Sequence, residues 1–191
     1  MIKLPTTHTR DILKLKEEED IFSIPDTLEN AKTWLAENIN KGVRCPCCQQ
    51  FAKLYRRPLY ATMARMLILF YRLPGSDDWL HINDVIRVTG CSEFRCGDWA
   101  KLKHWALIED RKKEDDEDKK NSGFWRITPI GKAFVERKCR IKSHILLYDG
   151  NFCGFEGEEV YIDHCLGKNF SYDELLGGNT LKRKDVNYLP L

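Results

Sequence analysis

The residues best equipped for chemistry lie in one short run, Cys45-Pro46-Cys47-Cys48. A Cys-x-x-Cys pair with proline in its turn sets two thiolates, Cys45 and Cys48, on one side of a tight loop, where a zinc ion can take both. A tetrahedral structural site needs four donors. The rest of the chain offers Cys91, Cys96, Cys139, His144, Cys153 and the adjacent pair His164-Cys165, and spacing does not choose among them. Two readings stand side by side: a structural zinc as cofactor, or thiols that are small core residues or unpaired. Redox catalysis by the pair ranks lower, because no βαβ pattern surrounds it.

The second kind of chemistry is electrostatic. Lys41, Arg44, Lys53, Arg56, Arg57, Arg65 and Arg72 fall in a stretch without Asp or Glu, inside a chain whose 31 Lys+Arg nearly balance its 29 Asp+Glu. Basic charge is thus local, and a phosphate-binding surface must be local too. Tyr55 and Tyr60 flank Arg56 and Arg57 and can add ring surface to it. No phosphate-binding glycine loop, nucleophile-elbow serine or HExxH metal helix occurs, so an enzyme is not expected.

The elements that must position these residues can be read from spacing. Residues 1–25 give no sustained period and read as an N-terminal arm. Asp26 with Glu29 forms a capping-box-like pair ahead of Leu28, Ala31, Leu35 and Ile39, which recur at helical spacing up to Lys41-Gly42. Residues 26–57 are therefore a helix followed by the cysteine knot. Pro58 fits the first turn of a second helix carrying Leu59, Met63, Met66, Leu67 and Phe70. Two short helices follow, His81 to Val88 and about Ser92 to His104, with Gly90 between them. WALIED and FWRIT read as strands joined by a long polar tip, and Thr128-Pro129 caps a further helix through Val135. Residues 139–176 mix β-like pieces with a short FSYDELL segment and read as a small C-terminal appendage, and 177–191 as a flexible tail.

That order of elements is that of a winged helix, and DWAKLKHWALIED, a gap, then GFWRITPIGKAFV makes the likeness more specific. The stretch 58–138 resembles the recognition helix and wing of MarR- and PadR-type winged helix-turn-helix proteins. Leu102, Leu107, Ile108, Trp125, Ile127, Thr128 and Gly131 stand at the pattern positions, and Ala106 stands where that family has glycine. The cysteine run resembles one knuckle of a zinc ribbon, with Gln49 in place of the usual glycine and no second Cys-x-x-Cys. The expected fold class is α+β, mainly helical: a winged helix-turn-helix core with a helical, cysteine-bearing N-terminal extension.

The resemblance implies double-stranded DNA as partner and a small regulator as the function. Projected from Trp99, the helix face opposite the core holds Gly97, Lys101 and His104, with Ser92 and Arg95 near its start and Arg95 turned partly inward. Arg56, Arg57, Lys112 and Lys113 are the phosphate anchors. The tip of the wing, Glu114, Asp115, Asp116, Glu117 and Asp118, repels phosphate unless it points away from the duplex. That run motivates the alternative, a protein-interaction module, adaptor or virus-type inhibitor, in which those five residues bind a nucleic-acid-handling protein with a basic surface. A homodimer suits paired half-sites, although no coiled-coil heptad supplies one. The start of the chain has no apolar core followed by a cleavage site, and no apolar stretch is long enough for a bilayer, so an intracellular, cytoplasmic and reducing location without membrane contact is expected.

Overall fold

The computed structural model describes residues 27–111 and 122–177. The chain divides into two units, Met1–Leu54 and Tyr55–Leu191. Among the described residues it is a mixed α/β protein with seven α-helices and three small sheets. None of the helices is long and apolar enough to cross a membrane.

In the first unit, helix α1 spans Leu28–Asn38 and is capped by Thr27, whose hydroxyl accepts from the Asn30 amide at 3.2 Å. Asp26, the expected cap, lies outside the described residues. A 3-10 turn, Ile39–Lys41, ends at Gly42, whose φ of 79° is one that glycine adopts without strain. Strands β1 (Val43–Arg44) and β2 (Phe51–Ala52) then pair antiparallel, with the cysteine run in their turn. The helical spacing of Leu28, Ala31, Leu35 and Ile39 does not mark a buried face. Ala31 is the one buried residue of α1, and Leu28 is 62% exposed.

The second unit opens with β3 (Tyr55–Pro58), so Pro58 closes a strand and does not lead a helix. This strand lies at the edge of a three-stranded sheet, paired with residues Ile141–Tyr148, and there proline's missing N–H breaks no ladder bond. Helix α2 (Ala61–Tyr71) buries Met63, Ala64, Met66, Leu67, Ile68 and Phe70, most of its circumference, and is the centre of the core. After β4 (Leu80–His81) comes α3 (Ile82–Thr89), capped by His81 Nδ1 accepting from the Asn83 amide and stopped by Gly90 at φ 67°. The expected helix from Ser92 to His104 is broken into a 3-10 turn (Ser92–Arg95), α4 (Gly97–Lys101) and a second 3-10 turn (Leu102–Trp105). Cys96, extended at ψ 144°, makes the first break. Strands β5 (Ile108–Asp110) and β6 (Phe124–Ile127) pair, and β4 joins them in the order β4-β6-β5.

A backbone junction locks this sheet to α5 (Pro129–Val135). Ala106 sits left-handed at φ 56°, the Thr128 hydroxyl donates to the Ala106 carbonyl at 2.5 Å, and the same oxygen accepts from the Gly131 amide at 2.9 Å. A Cβ on Gly131 would lie 2.0 Å from the Leu107 carbonyl oxygen, so only glycine permits this approach. The Thr-x-x-Gly pattern thus has a packing cause.

Residues 139–176, expected as a small C-terminal appendage, contribute to the core of the second unit. Strands β7 (Ile141–Tyr148) and β8 (Asn151–Val160) form a long hairpin, followed by α6 (Ile162–Leu166) and α7 (Tyr172–Gly177). Ile141, Ile145, Leu147, Ile162 and Leu166 belong to the same apolar cluster as α2.

Two substitutions at the junction should move stability in opposite directions in urea melts. Gly131→Ala should cost about 3 kcal/mol, the upper end of overpacking. Ala106→Gly should gain about 0.5–1 kcal/mol, because relief of left-handed strain outweighs glycine's extra unfolded-chain entropy. A neutral Gly131→Ala would contradict the junction.

Candidate nucleic-acid interface

The segment 91–105 is pinned from two directions. Cys91 is buried and its thiol donates to Glu93 at 2.9 Å, while Arg65 of α2 donates to Glu93 at 2.8 Å. Burial, then the Glu93 carboxylate, pushes the Cys91 thiol up, so it is a neutral packing group. Cys165, pushed to about 12 by burial, is equally inert. Further along, Trp99 packs against Phe94, Phe70 and Trp125 with ring centroids 4.8, 5.0 and 6.0 Å away. The Trp105 indole N–H donates to the Lys142 carbonyl of β7 at 2.6 Å.

This packing sets which polar residues reach solvent. Ser92, Arg95, Gly97 and Lys103 are exposed. Arg95, expected to turn partly inward, points outward and has no carboxylate partner among the described residues. Lys101 is half-buried and pairs with Asp98 at 2.5 Å, so its charge is partly spent within the helix. Lys103, not singled out by the helical projection, is an outward cation, 3.6 Å from Asp110. The projection advanced by 100° per residue, whereas a 3-10 turn advances by about 120°, so residues after Leu102 rotate away from it.

His104 is not free over a groove. Its ring stacks on Phe152 of β8 at 5.9 Å and 12°, and Phe152 meets Phe155 edge-on at 4.9 Å. Phe152 and Phe155 are 42% and 50% exposed, so the hairpin extends the surface of the helical segment with bare rings. Register shows which arginine shares it. Arg57 aligns with Ile145 and Phe155 on one face, while Arg56 aligns with Leu146 on the other, where it pairs with Glu156. Arg57 lies over the Tyr55 ring at 5.4 Å. Arg57, Phe152 and Phe155 therefore lie on one side of the sheet, at its two edges with the buried Ile145 and Leu147 of β7 between them, while Arg56 and Glu156 lie on the other side and His104 meets the sheet through Phe152. Sequence reasoning missed those rings: Phe152 and Phe155 are three residues apart, an offset that alternation assigns to opposite faces, and the register shift opposite Leu146 and Leu147 returns them to one face.

Lys112 and Lys113 and the acidic tip, Glu114 to Asp118, lie outside the described residues. Cys45 and Cys48 fall in the β1–β2 turn, with Cys48 exposed and Cys45 partly so. The backbone N–H of Cys48, and after it that of Cys47, holds the Cys45 thiol below its ordinary value. No three His, Cys, Asp or Glu among the described residues are grouped to hold a metal ion. A shallow cleft of about 480 Å³ is lined by Asp77, Glu109, Arg126 and Lys132, whose charges are consumed by the pairs Arg126–Glu109 and Lys132–Asp77. No family model, curated protein or solved structure matches the chain.

Burial, then Lys103 and Lys101, holds the His104 imidazole below its ordinary 6.5. The folded chain therefore binds fewer protons at this site than the unfolded chain, and stability contributed by the neutral ring falls as pH drops through and below 6.5. His144 is shifted the same way by burial and Arg56. Melts at about pH 7.5 and about pH 5.5 should show a smaller acid loss for His104→Gln than for the parent. An unchanged pH slope would contradict the stacked, neutral imidazole.

Proposed function

We propose that residues 61–127 form a winged helix and that the protein is a small regulator binding double-stranded DNA through it. The observation that carries this reading is the sheet order β4-β6-β5 around the pair α3 and 91–105. The strand before α3 pairs with the last strand of the hairpin, which sets the hairpin beside the second helical segment, as a wing and recognition element require. Ser92, Arg95 and Lys103 take phosphate or base edges from that segment. Arg57 adds a phosphate contact from the neighbouring sheet, and Lys112 and Lys113, which lie outside the described residues, add basic charge next in sequence after Arg111. Lys101 and His104 act mainly by fixing the surface, one through Asp98 and the other through Phe152.

A second reading, a protein-interaction module for a nucleic-acid-handling partner, draws on the exposed rings. Tyr55, Phe152 and Phe155 are apolar surface that duplex DNA does not need. In that reading the rings anchor the partner and residues 114–118 meet its basic groups.

Anisotropy titration of random duplex over a range of salt separates the two. Arg95→Ala with Lys103→Ala should weaken binding and lower the salt slope by about 2, near 0.9 per lost phosphate contact. Serine at residues 114–118 should tighten duplex binding. A slope that both sets leave unaltered removes the DNA reading.

A further inference from the structure

We propose that Cys45 and Cys48 from two copies of this chain close one tetrahedral four-thiolate zinc site, joining the N-terminal units as a metal-bridged dimer. This goes beyond the DNA reading and does not rest on it. The N-terminal unit has no large buried side chain among its described residues. Of its 28 described residues, 27–54, only Ala31 and Ala52 are buried. A stretch of that size without large buried side chains is normally held by a disulfide, a metal or association, because conformational entropy otherwise exceeds burial. All eight cysteines are free, those at 45, 47 and 48 included.

The loop is nevertheless tightly defined. The Cys45 amide donates to the Gln50 carbonyl at 2.8 Å, the Gln49 amide donates to the Cys45 carbonyl at 2.8 Å, and Arg44 donates to the Gln49 carbonyl at 3.0 Å. Gln49 is left-handed at φ 62°, where a side chain costs about 1–2 kcal/mol and glycine nothing. An exposed turn that keeps this conformation with a non-glycine residue has a geometry to maintain. Two thiols three residues apart across a closed turn are the geometry zinc takes in structural sites.

Two thiolates fill half a tetrahedron. The described residues of the unit hold no histidine and no cysteine beyond the three in the loop, and no trio of donors is grouped anywhere among the described residues. A second knuckle supplies the missing pair. Lys41, Arg44 and Lys53 stand exposed around the loop, and a zinc tetrathiolate carries a charge of about −2 that such cations offset. Leu28 and Phe51, at 62% and 54% exposed, are the apolar surface that a second copy would cover. Binding displaces the protons of four thiols to solvent, and no electron is transferred.

The experiment uses the full chain, reduced and stripped of metal, titrated with zinc while mass is followed by sedimentation velocity and native mass spectrometry. The expected result is a dimer containing one zinc ion per two chains, which a chelator returns to monomer. Cobalt in place of zinc should give the absorption of a tetrahedral tetrathiolate. Cys45→Ser and Cys48→Ser should each abolish the dimer and the cobalt spectrum, and Cys47→Ser should keep both. The cobalt spectrum of the parent and the Cys47→Ser result remain decisive even if the first two variants lose local structure. One zinc per monomeric chain, a dimer that survives the chelator, or no zinc uptake would each overturn the proposal. Loss of duplex binding in a separate assay would leave it standing.

Discussion

The surface at 91–105 exists because Trp99 is held in an aromatic cage. A five-residue helix flanked by two 3-10 turns has too few internal hydrogen bonds to persist in water, so packing has to supply what nucleation costs. Phe70 of α2, Phe94 of the preceding turn and Trp125 of β6 meet that indole from three elements at once. Its N–H has no acceptor among the described residues, a cost of about 1–3 kcal/mol that the ring's burial has to outweigh. The cage decides which side of the segment is hidden, and Ser92, Arg95 and Lys103 face solvent because Trp99, Leu102 and Trp105 do not.

Charge in this protein is mostly used internally. Arg56 meets Glu156, Arg65 meets Glu93, Lys101 meets Asp98 and Arg126 meets Glu109. Pairs as exposed as most of these contribute little stability, yet each lowers the charge available to a ligand. A near-neutral composition and a sparsely charged candidate surface are therefore the same fact seen at two scales. Arg57 and Arg95 are among the exposed cations that no carboxylate pairs among the described residues.

The two units solve the problem of stability differently. The second has a core built on α2 and closed by a junction so tight that Leu107 and Gly131 meet backbone to backbone. The first has small buried residues, a hairpin of two-residue strands and free thiols at its turn. Burial carries the one, and for the other the proposed zinc coordination would take its place.

Local signals in the chain determined a good deal. Thr128-Pro129 caps α5, Gly90 ends α3, and WALIED and FWRIT hold the strands at 108–110 and 124–127, because caps, turns and alternation act over a few residues. Helical periodicity overreached at Leu28, whose neighbours offer nothing to bury it, and at Pro58, where an edge position in a sheet accommodates the proline. The role of 139–176 was invisible, since β3 and β7 are separated by more than 80 residues and nothing local announces their pairing. Only tertiary structure decided that Arg56 and Arg57 lie on opposite sides of the sheet and that Phe152 stacks on His104. Those outcomes follow from strand register and from packing between distant segments, which side-chain chemistry alone does not encode.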